Sequence, residues 1–336
     1  MDYNIWVSGN CNLRCRYCYE GPYKPSLNMS LEKAEDVINF IKSDLKEVNN
    51  RTLDINFHGG EPFLNIEVIK YLIKEIKDLI KESNTLLTFS ITTNATILNK
   101  EVLKIITKDI KMVTLSIDGT KKTHDYMRPF ADGKGSYDTV IKNSLKILDA
   151  KPDVRVRMTF DSDTVYSLAE DVIHLIDLGF KTIVPAPNFF DKRWDACHLS
   201  VLEKQIKTIK SYINDKKDVL VSLCTPKDYC RISKCNGGVK SRVIYVDGTI
   251  YPCIVAGGEK EFQIGNIYFG INKDKLSKLM KYSGKVNPCC DGCSISSSCS
   301  GNRCKIINKI ITDDFFNPPA IECESENLLY SINNIR

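Results

Sequence analysis

The chain has 336 residues, 43% hydrophobic and 26% charged, which excludes a disordered chain and allows one large domain beside a smaller one. Its 47 basic and 42 acidic residues leave a net charge of only +5 with no basic block, so nucleic acid is not an expected partner. No signal peptide or membrane-length apolar run is visible, so the 14 cysteines are expected as metal ligands in a reducing, anaerobic cytoplasm rather than as disulfides.

Apolar runs at 5–8, 53–57, 86–92, 112–117, 154–160 and 182–185 read as strands. Amphipathic helices alternate with them. The first follows Ser30 as N-cap and carries Ala34, Val37, Ile38, Ile41 and Leu45 on one stripe. The second starts at Asn65 and repeats the stripe at Ile69, Leu72, Ile73, Ile76 and Ile80. Others begin near Asn99, near Ser136 and about Val165, the last stopping at Gly179, and a sixth spans about 199–213. Six such units imply a parallel sheet with helices outside it, an incomplete barrel.

Functional residues of such folds sit where strands end. Three thiols, Cys11, Cys15 and Cys18, follow the first strand. Thiolates select zinc or iron–sulfur clusters. A structural zinc or a protein-closed cubane takes four protein ligands, yet the next cysteine is Cys197. Three ligands leave one metal open to a substrate or cofactor; an incomplete zinc knuckle is the plainer alternative.

The second strand runs into His58, Gly59, Gly60, Glu61 and Pro62. Paired glycines let a backbone approach a ligand, and Glu61 offers an acceptor to an ammonium; a tight turn before a helix is the other reading. The third strand ends in Thr92, Thr93, Asn94, Ala95 and Thr96. The fourth ends in Ser116, Ile117, Asp118 and Gly119, followed by His124, Asp125, Arg128 and Pro129. Asp118 and Gly119 also read as a turn, and His124 as a surface-loop histidine. On the fifth, Val154, Val156, Met158 and Phe160 alternate with Arg155, Arg157 and Thr159, leaving Arg157 either in the lumen or outward in a salt bridge.

The Cys-x3-Cys-x2-Cys spacing, with Tyr17 before the third cysteine, resembles the radical S-adenosylmethionine (SAM) superfamily. The resemblance implies an α/β fold, a partial (β/α)6 barrel. It also implies a [4Fe–4S] cluster on Cys11, Cys15 and Cys18 whose open iron is chelated by the amino and carboxylate groups of SAM. One electron then cleaves SAM to a 5′-deoxyadenosyl radical that takes hydrogen from an unactivated C–H bond. Carried over residue by residue, Tyr17, Gly59, Gly60, Glu61 and Asn94 belong to the SAM site, with Glu61 toward the amino group. Ser116 and Arg128 would hold the carboxylate, which suits arginine's paired donors. Relatives have Asn-Gly-Thr where this chain has Ala95, which puts the role of Asn94 in question.

Past about residue 215 the helical periodicity fades and most of the remaining cysteines appear. They run Cys230-x4-Cys235, Cys253, then Cys290-x2-Cys293-x5-Cys299-x4-Cys304, and Cys323. Asp247 and Gly248 mark a hairpin turn before Cys253. Such a module needs metal as its staple. Zinc ribbons use similar pairs, so a non-catalytic, zinc-stapled binding protein is the rival of another class. The full pattern resembles the SPASM extension of radical SAM enzymes. It implies a barrel over 1–214, a small cysteine-rich cluster-binding domain over 215–336, and two auxiliary [4Fe–4S] clusters, three in all. The first would take Cys230, Cys235, Cys253 and Cys304, the second Cys290, Cys293, Cys299 and Cys323. Two departures stand out: the four-residue gap before Cys304, where three is usual, and Cys289 beside Cys290 as a competitor. Cys197 and Cys224 fall outside the pattern and are expected as ordinary buried thiols.

The SPASM class mostly modifies peptides and proteins. The resemblance implies a thioether or carbon–carbon cross-link in a ribosomal peptide, with anaerobic sulfatase maturation to formylglycine as the alternative and a small-molecule substrate still open. Expected partners are the peptide or protein substrate and an electron donor such as flavodoxin or ferredoxin. Ten residues before Cys11 leave no room for an N-terminal recognition domain. Recognition is therefore expected from a separate protein, the barrel mouth or the loop 188–197. Sulfatase-maturing relatives carry aspartate directly after the cysteine aligned with Cys253, as the base that takes the substrate proton. Here Ile254 stands there and has no lone pair, and neither Tyr251 nor Glu259 holds that place.

Overall fold

Residues 1–20, 27–47, 52–226 and 234–334 are described by the computed structural model. Strands and helices alternate at first: β1 (Asp2–Ser8), α1 (Leu31–Glu47), β2 (Thr52–Gly59), α2 (Ile66–Ile80), β3 (Leu86–Thr93), α3 (Lys100–Lys108) and β4 (Met112–Ser116). Two helices follow, α4 (Lys121–Met127) and α5 (Tyr137–Ala150), then β5 (Arg155–Phe160), α6 (Leu168–Asp177), β6 (Thr182–Pro187) and α7 (Ala196–Ile213). The remainder adds β7 (Leu220–Val221), β8 (Ser241–Ile244), β9 (Thr249–Tyr251), β10 (Gly265–Asn266), β11 (Gly270–Ile271), α8 (Lys273–Met280), α9 (Ser300–Arg303), α10 (Lys305–Thr312) and α11 (Ala320–Asn334).

The helix stripes are the buried ones. Ala34, Val37 and Ile41 of α1, and Ile69, Leu72 and Ile76 of α2, are fully enclosed against the sheet. Asn99 caps α3 by accepting from Val102 N at 2.8 Å. After α6, Gly179 takes φ +98°, the left-handed stop that glycine adopts without a Cβ clash. One helix, α4, has too short a stripe to announce itself.

Strands β1 to β6 pair in sequence order, all parallel. In-register rows such as Ile5–Phe57–Ile91–Val113 face the helices and form the core. The opposite face is polar. Asn56 Nδ2 donates to Asn4 Oδ1 at 2.8 Å, and Ser90 Oγ donates to Asn56 Oδ1 at 3.1 Å. Arg155 Nε donates to Thr114 Oγ1 at 2.6 Å. Because Val156 and Met158 are fully buried outward, Arg157 shares the lumen face with Arg155. Asn4, Asn56, Ser90, Thr114 and Arg155 line a cavity of about 310 Å³ that reaches from Asp2 and Asp54 to His58 and Ile254.

The sheet does not stop at α7. Strand β7 extends it beyond β6, and β8 pairs parallel with β1 at the other side, followed by antiparallel β9 to β11. Residues on both sides of position 214 thus share one sheet, 11-stranded among the described residues. A buried ion pair, Arg242 of β8 with Asp44 of α1, fastens this return, and Tyr3 OH donates to the same carboxylate. The hairpin turn is at Asp247 and Gly248, with Gly248 at φ +88°. Among the described residues no helix is long and apolar enough to cross a membrane.

Candidate functional site

The loop carrying Cys11, Cys15 and Cys18 leaves the C-terminal end of β1 and is gripped from two sides. On one side is the turn after β2. Gly60 N donates to Ser8 O at 2.9 Å and Glu61 N donates to Asn10 O at 2.8 Å. A Cβ on Gly60 would lie 2.3 Å from Asn10 O and 2.9 Å from Cys11 Cβ. A Cβ on Gly59 would lie 2.1 Å from Ser8 O, and φ there is +128°. The glycine pair is what lets this turn lie flat on the cysteine loop.

Glu61 lies directly behind the cysteine loop. It is fully enclosed, and both of its carboxylate oxygens are taken by the protein's own donors. Its Oε1 accepts from Thr93 Oγ1 at 2.8 Å and Phe63 N at 3.1 Å, and its Oε2 accepts from Asn94 N at 2.8 Å. Burial pushes its carboxyl up, and these donors pull it back down. Its place is to fix Asn94. Asn94 Nδ2 then donates to Asn12 Oδ1 at 3.0 Å and stands 3.8 Å from Cys11 Sγ. Ala95, where relatives have glycine, adopts φ +57°. A left-handed alanine costs about 1–2 kcal/mol, and Asn143 Nδ2 holds it by donating to Ala95 O at 2.9 Å.

On the other side is the segment after α4. Arg14 N donates to Pro129 O at 2.8 Å and Arg16 N to Met127 O at 2.9 Å. Tyr17 OH donates to Asp118 Oδ2 at 2.7 Å, and the Arg128 guanidinium contacts the same phenol oxygen and lies 3.8 Å from Asp118. Asp118 Oδ1 accepts from Thr159 N at 3.0 Å. Burial pushes Asp118 up, while Arg128 and these donors lower it. Burial opposes the charge on Arg128, yet Cys15, Tyr17 and Asp118 raise its pKa well above the usual value. The Cys15 thiol is pushed up to about 11, chiefly by burial, with Arg128 pulling the other way. Arg128 Nε–H is buried and finds no acceptor among the described residues. Ser116 ends β4, largely buried, two residues before Asp118.

His124 is not a surface residue. It is fully enclosed in α4, where Nδ1 accepts from Asp118 N at 3.2 Å and Nε2 meets Ser136 Oγ at 3.0 Å. Ser136 Oγ donates on to Arg128 O at 2.6 Å. Burial, with Arg128 nearby, lowers the imidazole to about 3. Asp118 and His124 are therefore the supports of Arg128 that sequence reasoning passed over as turn and loop. Their signal lay in the Asp118, His124 and Arg128 spacing itself.

In the C-terminal part, Cys304 is pushed up to about 12 by burial, with the thiols of Cys253 and Cys235 adding to the shift. Cys253 is raised to about 11 by burial, with Cys235 adding. Cys230 lies outside the described residues. Cys323 is raised by burial and then by Glu324, with the thiols of Cys299, Cys293 and Cys289 adding to the shift. Cys290 is raised to about 12 by burial, then by Cys289 and Cys299. Two thiol groups thus gather, interleaved in sequence. Burial, and then Glu20, raise the Tyr19 phenol well above its usual value. Among the described residues no three cysteine, histidine or acidic groups gather tightly enough for one metal ion. A cubane binds each thiolate through a different iron and takes a wider spread. Cys224 is half-buried, 3.9 Å from Ile206 O, and pushed up to about 12 by burial. Cys197, expected to be buried, is exposed in the first turn of α7, because the stripe of that helix begins later, at Leu202.

Ile254 lines the lumen cavity directly after Cys253. Tyr251 is buried against Tyr245, and Glu259 is exposed.

A family model described as the radical SAM superfamily matches residues 6–176, just over half of the chain. The cysteine-type anaerobic sulfatase-maturating enzyme of Clostridium novyi is 27% identical over 279 residues, covering 74% of this chain and 71% of that protein. The antilisterial bacteriocin subtilosin biosynthesis protein AlbA of Bacillus subtilis is 26% identical over 324 residues, 90% of this chain and 67% of that protein. The chain spans 61% and 59% of the length of two archaeal relatives, from Archaeoglobus fulgidus and Methanocaldococcus jannaschii. The structure of native anSMEcpe with bound AdoMet shares the fold, with a TM-score of 0.80, 20% identity and coverage of 98% of this chain and 96% of that one.

Proposed function

Because the chain belongs to the radical SAM superfamily, we propose that Cys11, Cys15 and Cys18 hold a [4Fe–4S] cluster with one iron open to SAM, and that the chain cross-links a ribosomally made peptide through a thioether or carbon–carbon bond. When bound, cluster and SAM together supply a 5′-deoxyadenosyl radical that takes a hydrogen atom from the peptide. The residues present fit that pair. Three thiols lie on a loop held by the glycine turn, and an unsatisfied arginine donor waits beside Cys15.

That donor is the observation that carries the reading. A buried N–H without an acceptor is costly, and a ligand carboxylate would satisfy it. Arg128 and Ser116 would receive the carboxylate of SAM, while Tyr17 and Asp118 keep the guanidinium charged and aimed. The half-buried edge of the Gly59–Gly60 turn would meet the amino end. Asn94 steadies the loop at Cys11. In the C-terminal part Cys235, Cys253 and Cys304, with Cys230, would hold a second cluster, and Cys290, Cys293, Cys299 and Cys323 a third.

The substrate choice rests on Ile254. It faces the lumen where a sulfatase-maturing enzyme of the resembled class needs a carboxylate. The likeness to the Clostridium novyi enzyme favours sulfatase maturation as the second reading. The likeness to AlbA favours peptide modification. A peptide substrate, an electron donor such as flavodoxin or ferredoxin and a separate peptide-recognition protein are the partners this function needs. The test is to incubate the reconstituted enzyme, SAM and reductant with the short peptide encoded beside its gene and, separately, with a Cys-containing sulfatase peptide. A cross-link in the first is expected. Formylglycine in the second, with no mass change in the first, overturns the proposal.

A further inference from the structure

The second auxiliary site contains one thiol more than a closed cluster needs. Cys289 and Cys290 sit on a one-turn 3-10 helix, Pro288–Cys290, with their sulfurs 4.0 Å apart. Successive residues of such a turn point about 120° apart, so the two thiols leave the same backbone in different directions. Cys290 turns inward, buried, toward Cys299. Cys289 turns outward, exposed, with its sulfur 3.6 Å from Phe316 O. The turn itself is rigidly seated. Asn287 is fully buried, donates to Gly301 O at 3.2 Å and accepts from Lys305 Nζ, and its backbone N–H donates to Asn302 Oδ1 at 2.9 Å. Both sulfurs are therefore held at the rim of one thiol group by a support that neither of them supplies.

We propose that Cys289 is an alternate ligand of the iron–sulfur cluster at this site, exchangeable with Cys290. The inference rests on reading the C-terminal part as a two-cluster module. The exchange is balanced: Cys289 gives up its proton on binding iron, Cys290 takes one on leaving, and neither the iron nor the sulfide changes oxidation state. A thiolate replaces a thiolate, so the cluster keeps its charge. What changes is which sulfur remains accessible. In the resting arrangement the buried Cys290 binds and the exposed Cys289 is the spare.

The test uses full-length protein with Cys11, Cys15 and Cys18 replaced by alanine, so that only auxiliary iron is counted. This parent holds about eight irons, as two four-iron clusters require. Adding Cys290→Ala should leave about eight, as should Cys289→Ala. Iodoacetamide labelling mapped by mass spectrometry gives a second reading: Cys289 is modified in the parent and protected in Cys290→Ala. If Cys290→Ala folds poorly, the same labelling on Cys290→Val, which refills the buried space without an iron-binding atom, decides. Cys289 still labelled in folded Cys290→Ala or Cys290→Val, whatever the iron count, overturns the proposal. A parent with well under eight irons overturns the two-cluster reading first and this inference with it.

Discussion

Replacing Gly60 by alanine tests the seat of the cysteine loop. Gly60 has an ordinary φ, so alanine brings no backbone strain of its own, and the effect is steric. The new Cβ would stand 2.3 Å from Asn10 O and 2.9 Å from Cys11 Cβ, both on the loop that carries the first thiol. Overpacking of this kind costs about 1–3 kcal/mol. Relief requires the loop to lift, which stretches the bonds from Gly60 N to Ser8 O and from Glu61 N to Asn10 O. Each is worth about 0.5–1.5 kcal/mol, so the loop loses about 2–6 kcal/mol in total by the same values. At 1.4 kcal/mol per factor of ten, cluster affinity at Cys11, Cys15 and Cys18 should fall at least about 20-fold. The assay is iron per chain after anaerobic reconstitution, together with the rate of 5′-deoxyadenosine formation at saturating SAM. Gly270→Ala is the control: it meets nothing within 4 Å and carries only the left-handed strain of φ +73° on a distant hairpin. A Gly60→Ala protein with full iron and a rate within about twofold of the parent would refute the reasoning.

Changing Cys11, Cys15 and Cys18 together to alanine should remove about four irons and end SAM cleavage while the remaining iron stays; stoichiometric zinc in place of that iron would reject the assignment. Arg128→Lys keeps the charge but loses the planar fork, and charge-assisted bonds of about 1.5–3 kcal/mol predict SAM binding about 10- to 100-fold weaker by titration. An unchanged affinity would remove Arg128 from the carboxylate site. His124 tests the support behind it. Its folded pKa, about 3, lies below the ordinary value of 6.5, so the unfolded chain binds the extra proton between these limits. The stabilisation is whole above pH 6.5 and is lost as pH falls toward 3, by about 1.4 kcal/mol per unit. Between pH 7 and 5 the wild type should lose about 2 kcal/mol more than His124→Gln in chemical denaturation. Glu61 and Asp118, whose pKa values are raised, slope the other way in both proteins and cancel in the difference. Parallel curves would mean that His124 is not held neutral by burial.

What the sequence determined alone is what depends on local period and local chemistry. The alternation of Val154, Val156, Met158 and Phe160, the stripes of α1 and α2 and the stop at Gly179 each follow from neighbours a few residues apart. The three thiols and the glycine pair were visible for the same reason: open coordination and close backbone approach are written in residue type and spacing. Tertiary structure decided everything that depends on which surfaces meet. Strand β8 is too short to be recognised by period, and its place beside β1 follows from the Arg242–Asp44 pair, 198 positions apart in sequence. Glu61 looked like an acceptor for a ligand, but enclosure by Thr93, Phe63 and Asn94 turned it inward. His124 and Asp118 became supports of Arg128 only when α4 folded over the end of β4. Arg157 had two faces open to it until Val156 and Met158 took the outer one. Burial and charge pairing are sums over long-range contacts, and a single sequence carries them only through the fold it forms.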